Sequence, residues 1–150
     1  MSDLRAVVRY FEDLELGQHA ERVVTVTEAD IAAFAAVSGD HNPVHLDEAY
    51  AAETPFKGRI AHGMLAGAYI SALLGTELPG PGAIYLSQTL QFKRAIRIGD
   101  QVSVRAKVLS LDEKEGEAVL QTSCYVGRKS MVEGEARVLV PRRPAANEAA

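Results

Sequence analysis

Residues 62–76 constrain this chain more than any other stretch. From His62 to Thr76 it reads Met64, Leu65, Ala66, Ala68, Tyr69, Ile70, Ala72, Leu73 and Leu74 with almost no polar face. The run is helical in composition, and a helix apolar all round is expected to be buried all round. At about 1.5 Å per residue it is roughly 20 Å long, too short for a membrane span. Some other element must therefore wrap it. Leu78-Pro79-Gly80-Pro81-Gly82 then breaks the chain. Beyond the break, residues 83–96, 101–111, 117–127 and 131–140 alternate or carry β-branched residues, as strands do. Gly99-Asp100 and Glu113-Lys114-Glu115-Gly116 mark two of the turns, and Val23 to Val26 offers one more strand. The pattern predicts an α+β domain in which an antiparallel sheet curls around one apolar helix.

The remaining helices are short. Thr27 can cap one, with Asp30 three residues on as an imperfect capping box and Ile31, Phe34 and Ala35 on a shared face. Gly39 suggests its stop near Ser38. A second is expected from Asp47 through Tyr50 to Ala52. At 150 residues the chain is one domain by size. Residues 1–140 are expected to form it, and the Pro-, Ala- and charge-rich residues 141–150 read as a flexible, dispensable tail. The formal net charge of −4 gives no general basic field for nucleic acid or anionic lipid. No apolar run reaches membrane-spanning length, and early charges argue against a secretory signal. The single cysteine, Cys124, excludes an internal disulfide and a multi-thiolate metal site. Its alternating surroundings predict a buried, inert thiol. Cytoplasm is the expected compartment.

Proton-handling groups concentrate at residues 38–47, Ser-Gly-Asp-His-Asn-Pro-Val-His-Leu-Asp. Pro43 pushes Asn42 toward an extended conformation, so the preceding helix cannot run through. A chain of this length can turn to bring Asp40 and His45 into one pocket, although Asp and Asn before proline are also ordinary turn residues. A second segment, Ile60-Ala61-His62-Gly63-Met64-Leu65, opens the apolar helix. The first N–H groups of a helix lack intrahelical partners and sit at the positive end of its dipole. Without a side chain at Gly63, a ligand oxygen can approach that amide. The plain alternative is a tight turn. Gly63, Gly67, Ser71 and Gly75 recur every four residues, a stripe that either admits a neighbouring element or clears room for an elongated ligand. Ser71 is then the sole hydroxyl in the slot, unless it bonds back to Gly67. A metal site is not expected: His41 and His45 are four apart, but Pro43 between them spoils the helical face.

Together these segments resemble the MaoC-like, or (R)-specific enoyl-CoA hydratase, family. Ser38-Gly39-Asp40-His41-Asn42-Pro43-Val44-His45 is similar to its hydratase motif, with Asp40 and His45 at the places of the catalytic pair. His62-Gly63-Met64 resembles the start of its central helix, where the glycine amide binds the thioester oxygen. Ser71 falls where a family serine lines the site, and Asn42 joins Gly63 and Ser71 as a substrate-binding candidate. The likeness spans roughly residues 10–140. It implies a hot-dog fold, an acyl-CoA substrate, a homodimer with sites near the subunit interface, and no metal or redox cofactor. The reaction implied is reversible hydration of trans-2-enoyl-CoA to (R)-3-hydroxyacyl-CoA, which the closest members supply to polyhydroxyalkanoate synthesis. Three rivals share the fold: a 3-hydroxyacyl-[acyl carrier protein] dehydratase, for which Lys93, Arg94 and Arg97 form a docking patch unless they meet CoA phosphates instead, a thioesterase, and a non-catalytic acyl-binding subunit.

Overall fold

The computed structural model describes residues 9–145. A 3₁₀ turn at Phe11–Asp13 leads into strand β1 (His19–Thr25), then helices α1 (Glu28–Ser38), α2 (Pro43–Leu46), α3 (Glu48–Ala52) and the long α4 (Gly63–Thr76). Strands β2 (Ile84–Gln88), β3 (Gln91–Phe92), β4 (Gln101–Asp112), β5 (Glu117–Val126) and β6 (Lys129–Leu139) follow. They form one antiparallel sheet in the order β1-β4-β5-β6-β2, with β3 also on β6.

The expected alternation sets the core. Val102, Val104, Ala106 and Val108 of β4, Ala118, Leu120 and Cys124 of β5, and Val132, Ala136 and Val138 of β6 are all buried. Against that face α4 lays Leu65, Ala66, Ile70, Leu73 and Leu74, packing on β1, β4 and β5. Each large side chain so buried contributes about 1.5–3 kcal/mol. This is the sheet-around-a-helix architecture that the resemblance implied, a hot-dog fold.

Four differences from the sequence expectations have physical causes. First, α4 is not covered all round within the chain. Met64 is 57% exposed, and Ala68, Ser71 and Gly75 are exposed with it, because a single sheet covers one side of the helix. Second, the stretch 83–96 is not one strand. The chain bulges between Tyr85 and Ser87 and then folds inward, so that the Thr89 carbonyl lies over Gly134 of β6 where any Cβ would collide with it. Third, helical structure resumes at Pro43 rather than at Asp47, although α1 stops at Ser38 and Asn42 is extended at ψ 123° as expected. Pro43 occupies the first turn of α2, where its missing N–H costs nothing. Fourth, the start of the supposed tail is tied down. The Phe11 N–H donates to the Pro141 carbonyl, Arg142 reaches the Glu113 carbonyl and stacks on Phe11, and Arg143 pairs with Asp13. Residues 146–150 lie outside those described.

The first helix follows its sequence signals closely. The Thr27 hydroxyl accepts from the Asp30 N–H at 3.1 Å while the Asp30 carboxylate accepts from the Thr27 N–H at 3.0 Å, a complete capping box. Gly39 closes it in the left-handed region, φ 78°.

Candidate active site

The bend after α1 is built from local side-chain bonds. The Ser38 hydroxyl donates to the Phe34 carbonyl and accepts from the Asp40 N–H. The Asp40 carboxylate accepts from the Asn42 N–H at 3.2 Å, and the Asn42 side-chain oxygen accepts from the Val44 N–H at 3.2 Å. That last bond caps α2 and turns His45 inward, where it is 7% exposed.

The protonation of His45 follows from its partner. Its Nδ1 lies 2.8 Å from the Ile60 carbonyl oxygen. A carbonyl oxygen can only accept, so Nδ1 carries the proton and the neutral ring has its lone pair on Nε2. Burial lowers the pKa of His45 below the usual histidine value, and His62 nearby lowers it further. The Ile60 bond and the Asp40 carboxylate act the other way without reversing the direction. Arg59 holds the same residue from behind. Its Nε–H donates to the His45 carbonyl at 2.7 Å, while its fork grips both Glu28 carboxylate oxygens at 2.8 and 2.9 Å.

His62 stands just before α4 and is 2% exposed. Its Nε2–H donates to the Asp40 carbonyl at 3.0 Å, and its ring stacks on that of His45 with centroids 3.9 Å apart. A carboxylate oxygen of Asp40 and ring nitrogens of His45 and His62 all fall within 4.8 Å of one another. Two hydrogen bonds of about 2.8 Å meeting at one water span such a distance. The group is poorly arranged for a metal ion. Lone pairs lie in the ring planes, and two imidazoles stacked at 30° do not converge well on one point.

These groups open on a cavity of about 410 Å³ whose apolar walls include Phe56, Met64, Phe92 and Ile96. Gly63 lines it at the start of α4, and no side chain caps that helix end; the Leu65 N–H turns back to the His62 carbonyl at 3.0 Å, which leaves the Gly63 amide for a ligand. The glycine also admits a neighbour that the sequence did not disclose. A Cβ there would lie 2.8 Å from the Phe92 ring, which is seated against the Gly63 backbone. Gly67 similarly accommodates Leu90, so the first half of the small-residue stripe serves the close approach of the segment between β2 and β3.

Of the five residues singled out from sequence, the fold brings Asp40, His45 and Gly63 to this cavity. Asn42 and Ser71 are not among its lining residues. The Asn42 oxygen is occupied by the α2 cap, and Ser71 is exposed on the open side of α4, eight residues and about 12 Å along the helix from Gly63. The sequence reading missed His62 and Arg59 as site residues. A histidine bordering so apolar a helix was a signal for the first, whereas Arg59 pairs with a residue 31 positions away and gave no local sign. Lys93 and Arg94 line the cavity. Cys124 is fully buried, with its thiol pushed up to about 12 by burial, as expected of an inert residue. A larger groove of about 530 Å³ crosses the opposite side of the sheet. There Arg105 pairs with Glu21 and covers the Tyr125 ring, and no histidine–carboxylate pair is held together.

Residues 13–130 match the model of the MaoC like domain. The chain is 50% identical over 137 residues to the (R)-specific enoyl-CoA hydratase of Rhodospirillum rubrum, covering 91% of this chain and 95% of that protein. Among solved structures it superimposes on the R-hydratase PhaJ1 of Pseudomonas aeruginosa with a TM-score of 0.84 and 49% identity, covering 89% of this chain and 86% of that one. The (R)-hydratase of Aeromonas caviae involved in PHA biosynthesis gives the same TM-score at 45% identity, over 87% of this chain and 99% of that one.

Proposed function

The chain belongs to the MaoC-like domain family, and on that footing we propose that it is an (R)-specific enoyl-CoA hydratase, a hydro-lyase, with Asp40 and His45 as its acid–base pair. It adds water reversibly across the double bond of a trans-2-enoyl-CoA to give the (R)-3-hydroxyacyl-CoA. The observation that carries the residue roles is the neutral His45, protonated on Nδ1, with a ring nitrogen within 4.8 Å of an Asp40 carboxylate oxygen at the wall of an apolar cavity.

Conjugation with the thioester leaves C3 of the substrate open to attack. A water held between Asp40 and His45 gives up a proton to the pair as its oxygen bonds to C3. The π electrons move onto the thioester oxygen, and the Gly63 N–H at the positive end of α4 stabilises the enolate so formed. The pair then returns a proton to C2 as the carbonyl re-forms, completing the addition of one water. With these atoms within 4.8 Å of one another, the dyad handles both protons as a unit. Lys93 and Arg94 beside the cavity suit the phosphates of a CoA carrier. The product is the kind of monomer that polyhydroxyalkanoate synthesis consumes, and the cytoplasm is the compartment in this proposal.

The homodimer is part of the same proposal. β2 is an edge of the sheet, and Ile84, Tyr85 and Leu86 on it are 57%, 38% and 46% exposed. An apolar edge strand left open invites pairing with another chain. A second copy across a twofold axis satisfies it and covers the open side of α4.

The decisive experiment follows loss of the conjugated thioester absorbance of crotonyl-CoA with purified protein, with chiral analysis of the product. Hydration to the (R)-3-hydroxy product is expected. Release of free CoA, or no turnover with CoA thioesters but turnover with carrier-protein thioesters, overturns the assignment.

A further inference from the structure

The mechanism above makes no use of His62, yet it is the most deeply buried titratable side chain at the site. Its Nε2–H is committed to the Asp40 carbonyl at 3.0 Å, while its Nδ1 is buried without a hydrogen-bond partner. The ring stacks 3.9 Å from His45 on one side and meets Phe34 at 4.9 Å on the other. A buried polar atom left unsatisfied is costly, and natural cores seldom keep one without a reason. A plain apolar ring would fill the space without that cost.

We propose that His62 is a positioning residue of the hydratase site: its Nε2–H tethers the Asp40 backbone to the first turn of α4, and its ring clamps His45, so that the acid–base pair and the Gly63 amide keep one fixed spacing. The inference rests on the hydratase reading. His62 immediately precedes Gly63, and Asp40 lies 22 residues earlier on another loop, so this one bond joins the proton-handling bend to the oxygen-binding turn. Small displacements between such groups are expensive for catalysis. His62 opposes protonation of His45. The other charged groups around His45 are the Asp40 carboxylate, Arg59 at its carbonyl with Glu28 behind, and Lys93 and Arg94 lining the same cavity. All of them are retained in the variants below.

The test compares His62→Phe, His62→Gln and His62→Asn in the full chain on crotonyl-CoA, with the His45 ring followed by NMR through a pH titration. Phenylalanine keeps the volume and the stack but removes the tether. Glutamine places an amide N–H near the Nε2 position, and asparagine near the Nδ1 position. His62→Phe is expected to fold with an unchanged melting temperature, to lose at least about 10-fold in kcat with KM within about 3-fold, and to shift the His45 titration upward. His62→Gln recovers most of kcat, and His62→Asn does not. Wild-type kcat with an unmoved His45 titration in His62→Phe overturns the proposal, as does equal activity of the Gln and Asn variants. If His62→Phe fails to fold, the Gln and Asn pair still decides. Should the wild-type protein not hydrate enoyl-CoA at all, the functional reading fails, while the His45 titration still judges the clamp.

Discussion

The Nδ1–H of His45 donates to the Ile60 carbonyl across 15 residues of sequence, at 2.8 Å. A carbonyl oxygen can only accept, so this contact puts the ring proton on Nδ1 and leaves the lone pair of the neutral ring on Nε2. The backbone at residue 60 is itself anchored: the Ile60 N–H donates to the Val44 carbonyl, and the next residue, Ala61, donates to the Ile96 carbonyl. The tautomer is thus set by the framework rather than by a flexible side chain.

Asp40→Asn and His45→Gln are each expected to lower kcat on crotonyl-CoA by at least about 100-fold, the lower end for acid–base groups. The double variant should lose little more than the worse single one, because in the proposed mechanism the two act on one water. Turnover of properly folded single variants close to wild type, checked by circular dichroism, would remove the mechanism.

The pH dependence follows from the direction of the His45 shift. Its pKa lies below the ordinary 6.5, first because of burial. Activity should therefore persist into acid beyond the usual histidine range before kcat/KM falls. The same shift links to stability with a definite sign. Below 6.5 the unfolded chain binds this proton more readily than the folded one. The contribution is complete above that pH and is lost as the pH falls through the lower folded value. Thermal melts between pH 5 and 8 check the sign, and a melting temperature that rises on acidification contradicts it.

Gly63→Ala brings a methyl within 2.8 Å of the Phe92 ring. The ring is 54% exposed and can swing away, so stability should change by less than about 1 kcal/mol. Activity should fall at least about 10-fold, because the displaced ring and added methyl crowd the amide proposed to bind the thioester oxygen. Adding Phe92→Leu should restore part of it, as measured by initial rates.

Gly134→Ala meets backbone rather than a mobile ring. Its Cβ would overlap the Thr89 carbonyl, whose carbon would also lie at 2.7 Å. Loss of about 3 kcal/mol or more is expected, because the crossing of residues 88–90 over β6 must rearrange. Chemical denaturation measures it, and a neutral result would mean that the crossing is easily moved.

Leu86→Glu places a charge in the middle of the exposed edge of β2. Sedimentation should show the wild-type chain as the proposed dimer and the variant weakened toward monomer, with the fold intact. An unchanged dimer would put the interface elsewhere.

Local physics made much of this protein readable from its residues. Period-two burial in β4 to β6, the Thr27 and Gly39 caps and the apolar run of α4 each depend on neighbours within a few positions. The Asp40–His45 bend was legible for the same reason, since Ser38, Asp40 and Asn42 bond within two to four residues. What the tertiary structure alone decided is where distant segments meet. The bulged β2–β3 crossing depends on Gly134, and the role of Gly63 depends on Phe92. His62 reaches Asp40 across 22 residues and Arg59 reaches Glu28 across 31. Asn42 and Ser71 sat within reach by sequence position, but capping claimed one and the curvature of the sheet left the other outside. Hydrogen-bond caps and side-chain periodicity are short-range and are written residue by residue. The spacing of catalytic groups is set by packing between segments, which no local pattern encodes.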